Sequence, residues 1–425
     1  MDEAEPGDRD RLPDGMCVMP WLNLHVSTLG EIMPCCEFKG DIGNLREDTL
    51  AESWRGDRLR AIREAFARGE PLAACGKCME RERYESDSLR LQANRRFAAW
   101  LDAQDARTLA RPADFPVALD IRFTNLCNFS CRSCWHGASS KWFQDGKAIG
   151  SLASDRAETR SFASFEEFFA QIEQGVDGIV DLYFAGGEPL MMEEHYRFLD
   201  RLIELGRTDV ALRYHTNMSV TSFRGRSVFD LWKRFPNVLV IASVDAHGER
   251  GELLRRGFEW KLFVANMRAL RRKCPHVAVD FGITVSALNI LSLADLLRAL
   301  ESECGARPAD FDIHSLQEPP YYRTDVLPRR LKARAAASLE AYIGELERRD
   351  LESDPGTLVF VDRLRGAIRM MRPRADSRHR RRLARTTAAL DGLRRERTAA
   401  VLPELAPALR DWRRIIRGAL GLSPR

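Results

Sequence analysis

Short apolar runs alternate with amphipathic stretches along residues 117–316. Six runs have the length and the β-branched or aromatic content of buried strands: VALDIRF, IVDLYFA, ALRYHT, VLVIASV, VAVDFGITV and DFDIHSL. Between them, apolar residues at helical spacing predict helices over residues 165–174, 193–205, 227–235, 260–273 and 292–301. Alternating strands and helices form parallel sheets, so we predict an α/β fold.

The number of strands leaves the shape of the sheet open. Six βα units are two short of a full (βα)8 barrel, so an open sheet and an incomplete barrel both fit the pattern. In either arrangement, ligands are expected at the carboxyl ends of the strands. We therefore look for chemistry in the segments that follow the predicted strands.

The segments on either side of this pattern predict separate units. Residues 1–15 are acidic and polar, and we expect a flexible tail there. The next segment has the pattern of one helix over residues 49–68 and of a second over residues 88–104. After the sixth predicted strand, the pattern is helical to the end of the sequence. The predicted units are residues 1–15, 16–112, 113–320 and 321–425.

The composition is typical of a water-soluble globular protein, with 44% hydrophobic and 30% charged residues. No apolar run reaches the ~18 residues of a membrane span, and the first residues do not resemble a signal peptide. We therefore expect a cytoplasmic protein with no membrane partner. Of the 66 basic residues, 8 are lysines and 66 − 8 = 58 are arginines. These arginines are scattered rather than gathered in a patch, so they do not predict a nucleic-acid partner.

Eight of the ten cysteines form two groups. Cys127, Cys131 and Cys134 follow the first predicted strand with the spacing C-x3-C-x2-C, and five others lie within residues 17–78. Such clustering in a cytosolic chain is typical of metal or iron–sulfur ligation. Three thiolates would hold three corners of a [4Fe–4S] cluster and leave the fourth iron open for chemistry. The alternative is a structural metal site completed by a distant residue such as His136.

The loop NLCNFSCRSCWHG, which contains these three cysteines, resembles the hallmark motif of the radical S-adenosylmethionine (radical SAM) superfamily. The resemblance implies an incomplete (βα)6 TIM-type barrel. It also implies a cluster whose open iron is chelated by SAM, and reductive cleavage of SAM to a 5′-deoxyadenosyl radical. The family usually has an aromatic residue where this chain has Ser133. Trp135 or Phe129 would then pack against the adenine.

Three further segments resemble SAM-binding segments of that family. They are FAGGEPL after the second predicted strand, ASVDA after the fourth and FGITVSALN on the fifth. The resemblance assigns the SAM amino group to the first segment, the ribose or carboxylate to the second and the adenine to the third. The implied cofactor-binding residues are Gly186, Gly187, Glu188, Pro189, Ser243, Asp245, Val285 and Trp135.

The N-terminal cysteines have the spacing C-x12-G-x4-C, followed by C-x2-C. This arrangement resembles the twitch domain, a short form of the SPASM auxiliary-cluster domain, placed here before the barrel. The resemblance implies a second [4Fe–4S] cluster, fully ligated and suited to electron transfer. Its implied ligands are Cys17, Cys35, Cys75 and Cys78. Cys36 is an alternative to Cys35, and a four-cysteine zinc site is an alternative to the cluster.

Polar residues near the ends of the third and sixth predicted strands are candidates for substrate contact or catalysis. They are His215, Asn217, Asp312 and His314. Two isolated cysteines, Cys274 and Cys304, precede predicted strands. We expect them to be buried core residues at the opposite edge of the sheet.

The resemblance favours an enzyme that abstracts hydrogen from a peptide or protein side chain. An auxiliary cluster would aid electron transfer, and a flavodoxin or ferredoxin would be the external electron donor. One alternative is a dehydrogenase, epimerase or mutase acting on a small metabolite such as a sugar or cyclitol. Another is an RNA-modifying enzyme. A non-enzymatic iron–sulfur carrier would not need the GGEP motif.

Overall fold

The computed structural model of the chain describes residues 15–102, 112–349, 354–374 and 376–409. The predicted tail lies outside these ranges except for Gly15, as do residues 103–104 of the second predicted N-terminal helix. Within the described ranges, none of the helices combines the length and the hydropathy needed to cross a bilayer.

All six predicted strands are present, each within two residues of its expected bounds. The strands are β1 (Asn23–Val26), β2 (Glu31–Met33), β3 (Gly43–Asn44), β4 (Ala118–Ile121), β5 (Ser130–Cys131), β6 (Asp181–Phe184), β7 (Ala211–Thr216), β8 (Ser222–Phe223), β9 (Arg226–Ser227), β10 (Val238–Ser243), β11 (Arg255–Arg256), β12 (Ala278–Val285) and β13 (Phe311–Ser315). The main sheet runs in the order β13-β12-β10-β7-β6-β4-β1-β2-β3. Its first seven strands are mutually parallel, as the alternating pattern predicted.

The five helices predicted between the barrel strands are present, whereas the helix predicted over residues 88–104 is divided at Phe97 into two. The helices of the described residues are numbered in chain order. They are α1 (Met19–Leu22), α2 (Leu50–Arg55), α3 (Asp57–Ala67), α4 (Gly76–Glu82), α5 (Leu89–Arg96), α6 (Ala98–Asp102), α7 (Phe143–Ile149), α8 (Phe165–Glu173), α9 (Glu193–Glu204), α10 (Val228–Trp232), α11 (Gly248–Leu254), α12 (Trp260–Lys273), α13 (Leu293–Cys304), α14 (Arg329–Glu347), α15 (Pro355–Met370), α16 (Ser377–Arg394), α17 (Thr398–Val401) and α18 (Ala406–Leu409). Helices packed along a parallel sheet give the incomplete TIM-type barrel expected of the sequence.

The single helix predicted over residues 49–68 is wrong, because the segment forms two helices. Gly56 has an extended backbone with ψ of 157° and separates α2 from α3. A glycine inside a helix costs about 1 kcal/mol relative to alanine, so it is a favourable place for a break. Trp54 and Leu59 lie on different sides of the break, yet both are buried in the same core. The apolar pattern therefore continues through the bend.

The N-terminal unit joins the barrel through a strand that the sequence pattern did not predict. Strand β1 pairs in parallel with β4, and His25 lies opposite Asp120. Strands β2 and β3 extend the sheet further as antiparallel neighbours. The unit with the N-terminal cysteines and the predicted barrel therefore share one sheet, and the two cysteine groups are held in a fixed relation.

One face of the parallel sheet is apolar, and the other carries a row of polar residues on several neighbouring strands. In β7, Leu212, Tyr214 and Thr216 are buried against the helices, and the alternate residues face the other way. On that other face, His25, Asp120, Tyr183 and Arg213 stand opposite one another across four neighbouring strands. Parallel strands are usually apolar on both faces. A continuous polar row therefore marks the inner face of the barrel as the place for a polar ligand.

Candidate functional site

The cysteine loop begins directly after β4, at the carboxyl edge of the sheet. The buried side chain of Asn125 donates to the carbonyl oxygens of His136 (2.8 Å) and Ala157 (3.1 Å) and accepts from the amide of Thr159 (2.9 Å). The Asn125 carbonyl accepts from the amide of Ser140 (2.7 Å). Because buried backbone groups need partners, one asparagine fixes the start of the loop to its far end and to the next segment.

The middle of the loop is fixed by two further elements. Cys131 in β5 lies opposite Arg255 in the antiparallel strand β11. The indole nitrogen of Trp142 donates to the Cys131 carbonyl at 2.7 Å, and the Arg132 amide donates to the Leu254 carbonyl at 2.7 Å. The backbone that carries the second cysteine is therefore bonded on both sides.

Cys127 and Cys131 are buried, and Cys134 is half-buried. Burial raises the pKa of all three thiols, to about 12 for Cys134, and the charge of Cys131 acts in the same direction on the other two. In the described ranges, no group of three or more His, Cys, Asp or Glu side chains is gathered as a ready metal site. The fit rests on donor chemistry: three free thiols on one buried loop are the ligands that iron–sulfur clusters use.

The structure does not support His136 as a further metal ligand. Its ring is buried, Nδ1 accepts from the amide of Ala153 at 3.2 Å, and Nε2 contacts the carbonyl oxygen of Ala157 at 3.0 Å. Both ring nitrogens therefore have backbone partners. The histidine orders the segment after the cysteine loop. We therefore reject the alternative prediction of a structural metal site completed by His136.

The turn after β6 lies directly against the cysteine loop. Gly186 and Gly187 have φ of +76° and +58°, and a Cβ on Gly187 would be 2.3 Å from the Leu126 carbonyl oxygen. The amides of Gly187 and Glu188 donate to the carbonyls of Ala138 (3.1 Å) and Leu126 (2.8 Å). Only glycine combines this conformation with this approach. The predicted motif is therefore in contact with the predicted cluster loop.

Glu188 connects the ends of two strands. Its buried carboxylate accepts from the Thr216 hydroxyl (2.6 Å), the Asn217 amide (2.7 Å) and the Leu190 amide (3.2 Å). Burial raises its pKa to about 7. A carboxylate has about four acceptor positions, so capacity remains for an amino group. Pro189 begins the short 3-10 turn that follows.

The other residues assigned to SAM binding differ in how far their polar atoms already have hydrogen-bond partners within the protein. Asp245 is buried, and its two oxygens accept from Arg255 (2.9 Å) and the Thr284 amide (3.0 Å). The Val285 carbonyl accepts from the Leu316 amide at 2.8 Å. Ser243 ends β10 and is half-buried, next to Gly282.

Of the two aromatic residues offered for adenine packing, the structure leaves one accessible. Phe129 is buried against Phe258, with ring centroids 6.2 Å apart. Trp135 is 51% exposed, and its ring lies over Gly137 beside the third cysteine. Trp135 therefore remains the aromatic candidate.

Three of the four N-terminal thiols assigned to the second cluster lie at one small core, and the fourth, Cys78, acts on Cys17 through its charge. Cys17 is in a small buried core against which Cys35 and Cys75 pack. Burial raises the pKa of Cys17 to about 12, and Cys78 and Cys75 raise it further through their charges. The carbonyl of Ala74 accepts from the Lys39 amide at 3.0 Å and connects the two cysteine-bearing segments.

Cys36 lies apart from that group. Its side chain is exposed, and the charged groups that act on it include Asp120 and Arg122 of the polar face. The adjacent Cys35 packs against the core that contains Cys17, and burial together with the charges of Cys36, Cys17 and Cys78 raises its pKa. The two consecutive thiols therefore differ in burial, and Cys35 remains the predicted ligand of the second cluster.

Comparison with known families agrees with these two cysteine groups. Residues 121–300 match the family described as the radical SAM superfamily, and residues 17–79 match SPASM, an iron–sulfur cluster-binding domain. The chain therefore contains a radical SAM domain. Each cysteine group lies in its own matched segment, and the SPASM segment comes first.

Individual relatives match parts of the chain. The nucleotide dehydratase RSAD2 of Siniperca chuatsi, named as S-adenosylmethionine-dependent, is 24% identical over 178 residues, 42% of this chain and 45% of its own. The chain thus spans about half the length of that curated relative. The solved structure of native anSMEcpe with bound AdoMet has 14% identity and a TM-score of 0.41, over 56% of this chain and 62% of that one. Streptococcus suis SuiB bound to precursor peptide SuiA has 15% identity and a TM-score of 0.36, over 78% and 70%.

The polar face of the radical SAM domain contains a charged group that the sequence analysis missed. His25 Nδ1 contacts Asp120 at 2.9 Å, and Arg122 donates to both Asp120 oxygens at 2.7 and 3.1 Å. Burial alone would raise the pKa of Asp120, but Arg122 and His25 hold it below its ordinary value. In the sequence, the feature that could have predicted a buried polar role for His25 is its position between the apolar residues Leu24 and Val26.

Two of the predicted catalytic candidates stand on the same face. His215 Nδ1 is hydrogen-bonded to the hydroxyl of Tyr183, and a Cβ on Gly282 would be 3.4 Å from His215 Nε2. Burial lowers the pKa of His215 to about 3, so its ring is neutral. His314 Nε2 is 3.1 Å from the Thr284 hydroxyl. His215 is therefore a neutral group able to accept or donate a proton, and burial also lowers the pKa of His314.

The other two candidates have structural partners. The amide of Asn217 donates to Glu188, and its side chain bonds to Asn128 and Ser219. Asp312 is ion-paired with Arg363 of α15 at 3.2 Å. Cys274 and Cys304 are buried next to helix ends before β12 and β13, as expected of core residues.

Proposed function

We propose that this radical SAM protein reductively cleaves SAM at the Cys127–Cys131–Cys134 loop and abstracts hydrogen from a substrate on the polar face. The observation that supports the proposal is the contact between that loop and the Gly187–Glu188 turn at one edge of the sheet. A cluster on the three thiols, with SAM on its open iron, would supply the electron that gives methionine and a 5′-deoxyadenosyl radical.

The chain's own residues position the reactants. Glu188 is an acceptor for the SAM amino group, and the exposed ring of Trp135 is a surface for the adenine. Neutral His215, held by Tyr183, is the side chain best placed to take a proton from the substrate. The thiols of Cys17, Cys35, Cys75 and Cys78 would hold the auxiliary cluster, which accepts or supplies an electron.

The test is an iron and product count on protein reconstituted without oxygen. The wild type should hold about eight irons and form 5′-deoxyadenosine from SAM and reductant. The variant with Cys127, Cys131 and Cys134 all changed to Ala should hold about four irons and form none. Cys274→Ala, a change at a buried cysteine outside both groups, should keep both properties. Deoxyadenosine formation by the triple variant would refute the proposal.

For the substrate, we propose a peptide or protein side chain, supported by the SPASM-type cysteine group beside the polar face. A small polar metabolite is the second candidate. It is favoured by a cavity of about 390 Å³, a size that suits a small molecule, whose mainly apolar lining includes the charged residues Arg96, Arg213, Arg363, Asp280 and Asp312.

One experiment separates the two substrate classes. Extract of cells grown in deuterated medium is divided by size into a small-metabolite and a peptide fraction, and each is incubated with the reconstituted enzyme. Deuterium in 5′-deoxyadenosine from the peptide fraction supports the first candidate. Transfer from the small-metabolite fraction alone refutes it and supports the second.

A further inference from the structure

The C-terminal helix α16 packs on the cysteine loop of the radical SAM domain. Arg132, which lies between the second and third cysteines, has a fully buried side chain. Its Nη2 donates to Asp391 (2.6 Å) and to Glu396 (2.5 Å), which lie in and directly after that helix. The helical pattern alone gave this region no role in the site.

A second buried arginine comes from the helix itself. Arg394 also has a fully buried side chain, and its Nε and Nη2 donate to Asp145 of α7 at 3.0 and 2.7 Å. Its guanidinium lies 5.1 Å from the ring centre of Trp142. The same indole donates to the Cys131 carbonyl. Arg394 is therefore packed against a residue that holds the cysteine loop.

The arginines around the loop have unused donors. Arg394 Nη1, Arg255 Nε, and Arg132 Nε and Nη1 are buried and have no hydrogen-bond partner among the described residues. A buried donor without a partner is unfavourable, so such groups point to an acceptor that completes them. Besides their ion pairs with carboxylates, two of these arginines lie at the cysteine loop. Arg255 is opposite Cys131 in the strand pair, and Arg394 packs on Trp142, whose indole is bonded to the Cys131 carbonyl. A cluster on the thiols of this loop is the further anion available to their free donors.

We propose that Arg394, carried by the C-terminal helix, is a charge partner of the cluster on Cys127, Cys131 and Cys134 and raises its reduction potential. The inference rests on the proposed function, because it requires a cluster at that loop. Reduction adds a negative charge, which a buried cation stabilises, and the potential of an iron–sulfur cluster depends on nearby charge and hydrogen bonds to its sulfurs. The C-terminal region is then part of the radical SAM site.

A purely structural role for Arg394 makes a different prediction. If its ion pair only attaches α16 to α7, removing either partner should have the same consequence. If its charge acts on the cluster, Arg394→Gln and Asp145→Asn should act in opposite directions. The first change removes a positive charge and the second removes a negative one.

The experiment is a redox titration of reconstituted full-length protein, followed by electron paramagnetic resonance. The signal that changes on addition of SAM reports the cluster with an open iron, and the other signal is an internal reference. At fixed potential, the ratio of reduced to oxidised cluster should fall about tenfold in Arg394→Gln, which is 59 mV for one electron. It should fall less in Arg394→Lys and rise in Asp145→Asn.

Arg298→Gln is the control, because it removes an arginine that pairs with Glu345 of α14 at 2.6 Å, away from the cysteine loop. It should leave both signals unchanged. Equal potentials in wild type and Arg394→Gln, or shifts of the same sign in Arg394→Gln and Asp145→Asn, would overturn this inference but leave the proposed function standing. If Arg394→Gln does not fold, the Lys variant and Asp145→Asn decide it. A wild type without a SAM-responsive signal would overturn the proposed function as well.

Discussion

Replacing Gly187 by alanine should loosen the cysteine loop. The residue has φ of +58°, and the added Cβ would be 2.3 Å from the Leu126 carbonyl oxygen and 2.9 Å from the backbone carbon of Asn125. Both neighbours are backbone atoms of the loop, so they cannot move aside as the end of a flexible side chain can. Either the turn after β6 or the start of the loop must shift.

The expected magnitude has two parts. A left-handed conformation costs a non-glycine residue about 1–2 kcal/mol. Forcing an extra carbon into a close-packed site costs about 1–3 kcal/mol more. Gly206 has φ of +71°, and a Cβ added there would have nothing within 4 Å, so Gly206→Ala carries only the first part. The difference between the two variants isolates the close approach.

Hydrogen exchange read by mass spectrometry measures this effect in the loop itself. Peptides from residues 122–142 should exchange about 5- to 150-fold faster in Gly187→Ala than in Gly206→Ala, the ratio that 1–3 kcal/mol of local opening free energy gives. Gly187→Ala should also hold less iron at the loop than Gly206→Ala. Equal exchange of these peptides in the two variants would show that the turn does not support the loop.

Three further predictions concern other parts of the molecule. Cys35→Ser should lower bound iron from about eight to about four per chain, whereas Cys36→Ser should keep it, as an iron assay will show. In His215→Gln, 5′-deoxyadenosine should still form but the substrate product should be lost; unchanged product yield would contradict its assignment as the base. Burial and the carboxylates of Asp312 and Asp310 raise the pKa of Asp280 to about 7. The folded state therefore keeps a proton that the unfolded chain releases, and its contribution to stability is lost as pH rises from about 4 to 7. Asp280→Asn should raise the thermal midpoint more at pH 8 than at pH 5, and an equal change at both would count against this interpretation.

Much of the fold was predictable because it depends on local periodicity. Each of the six predicted strands is a short apolar run, and a period of two residues or of 3.6 is visible without knowledge of distant contacts. The break at Gly56 was missed because the apolar spacing continues through it. The glycine was visible in the sequence, but whether a helix bends at a glycine depends on what its two halves pack against.

The sequence by itself determined the chemistry that is available: three thiols at C-x3-C-x2-C spacing, two glycines before an acidic residue, and a second set of cysteines. Only the tertiary structure decided which groups meet. The parallel pairing of β1 with β4, the packing of Cys35 against the core that contains Cys17, and the burial of Arg394 beside the cysteine loop join residues far apart in sequence. Such contacts leave no local pattern, because the free energy that selects them comes from packing and from the pairing of buried charges across the whole molecule.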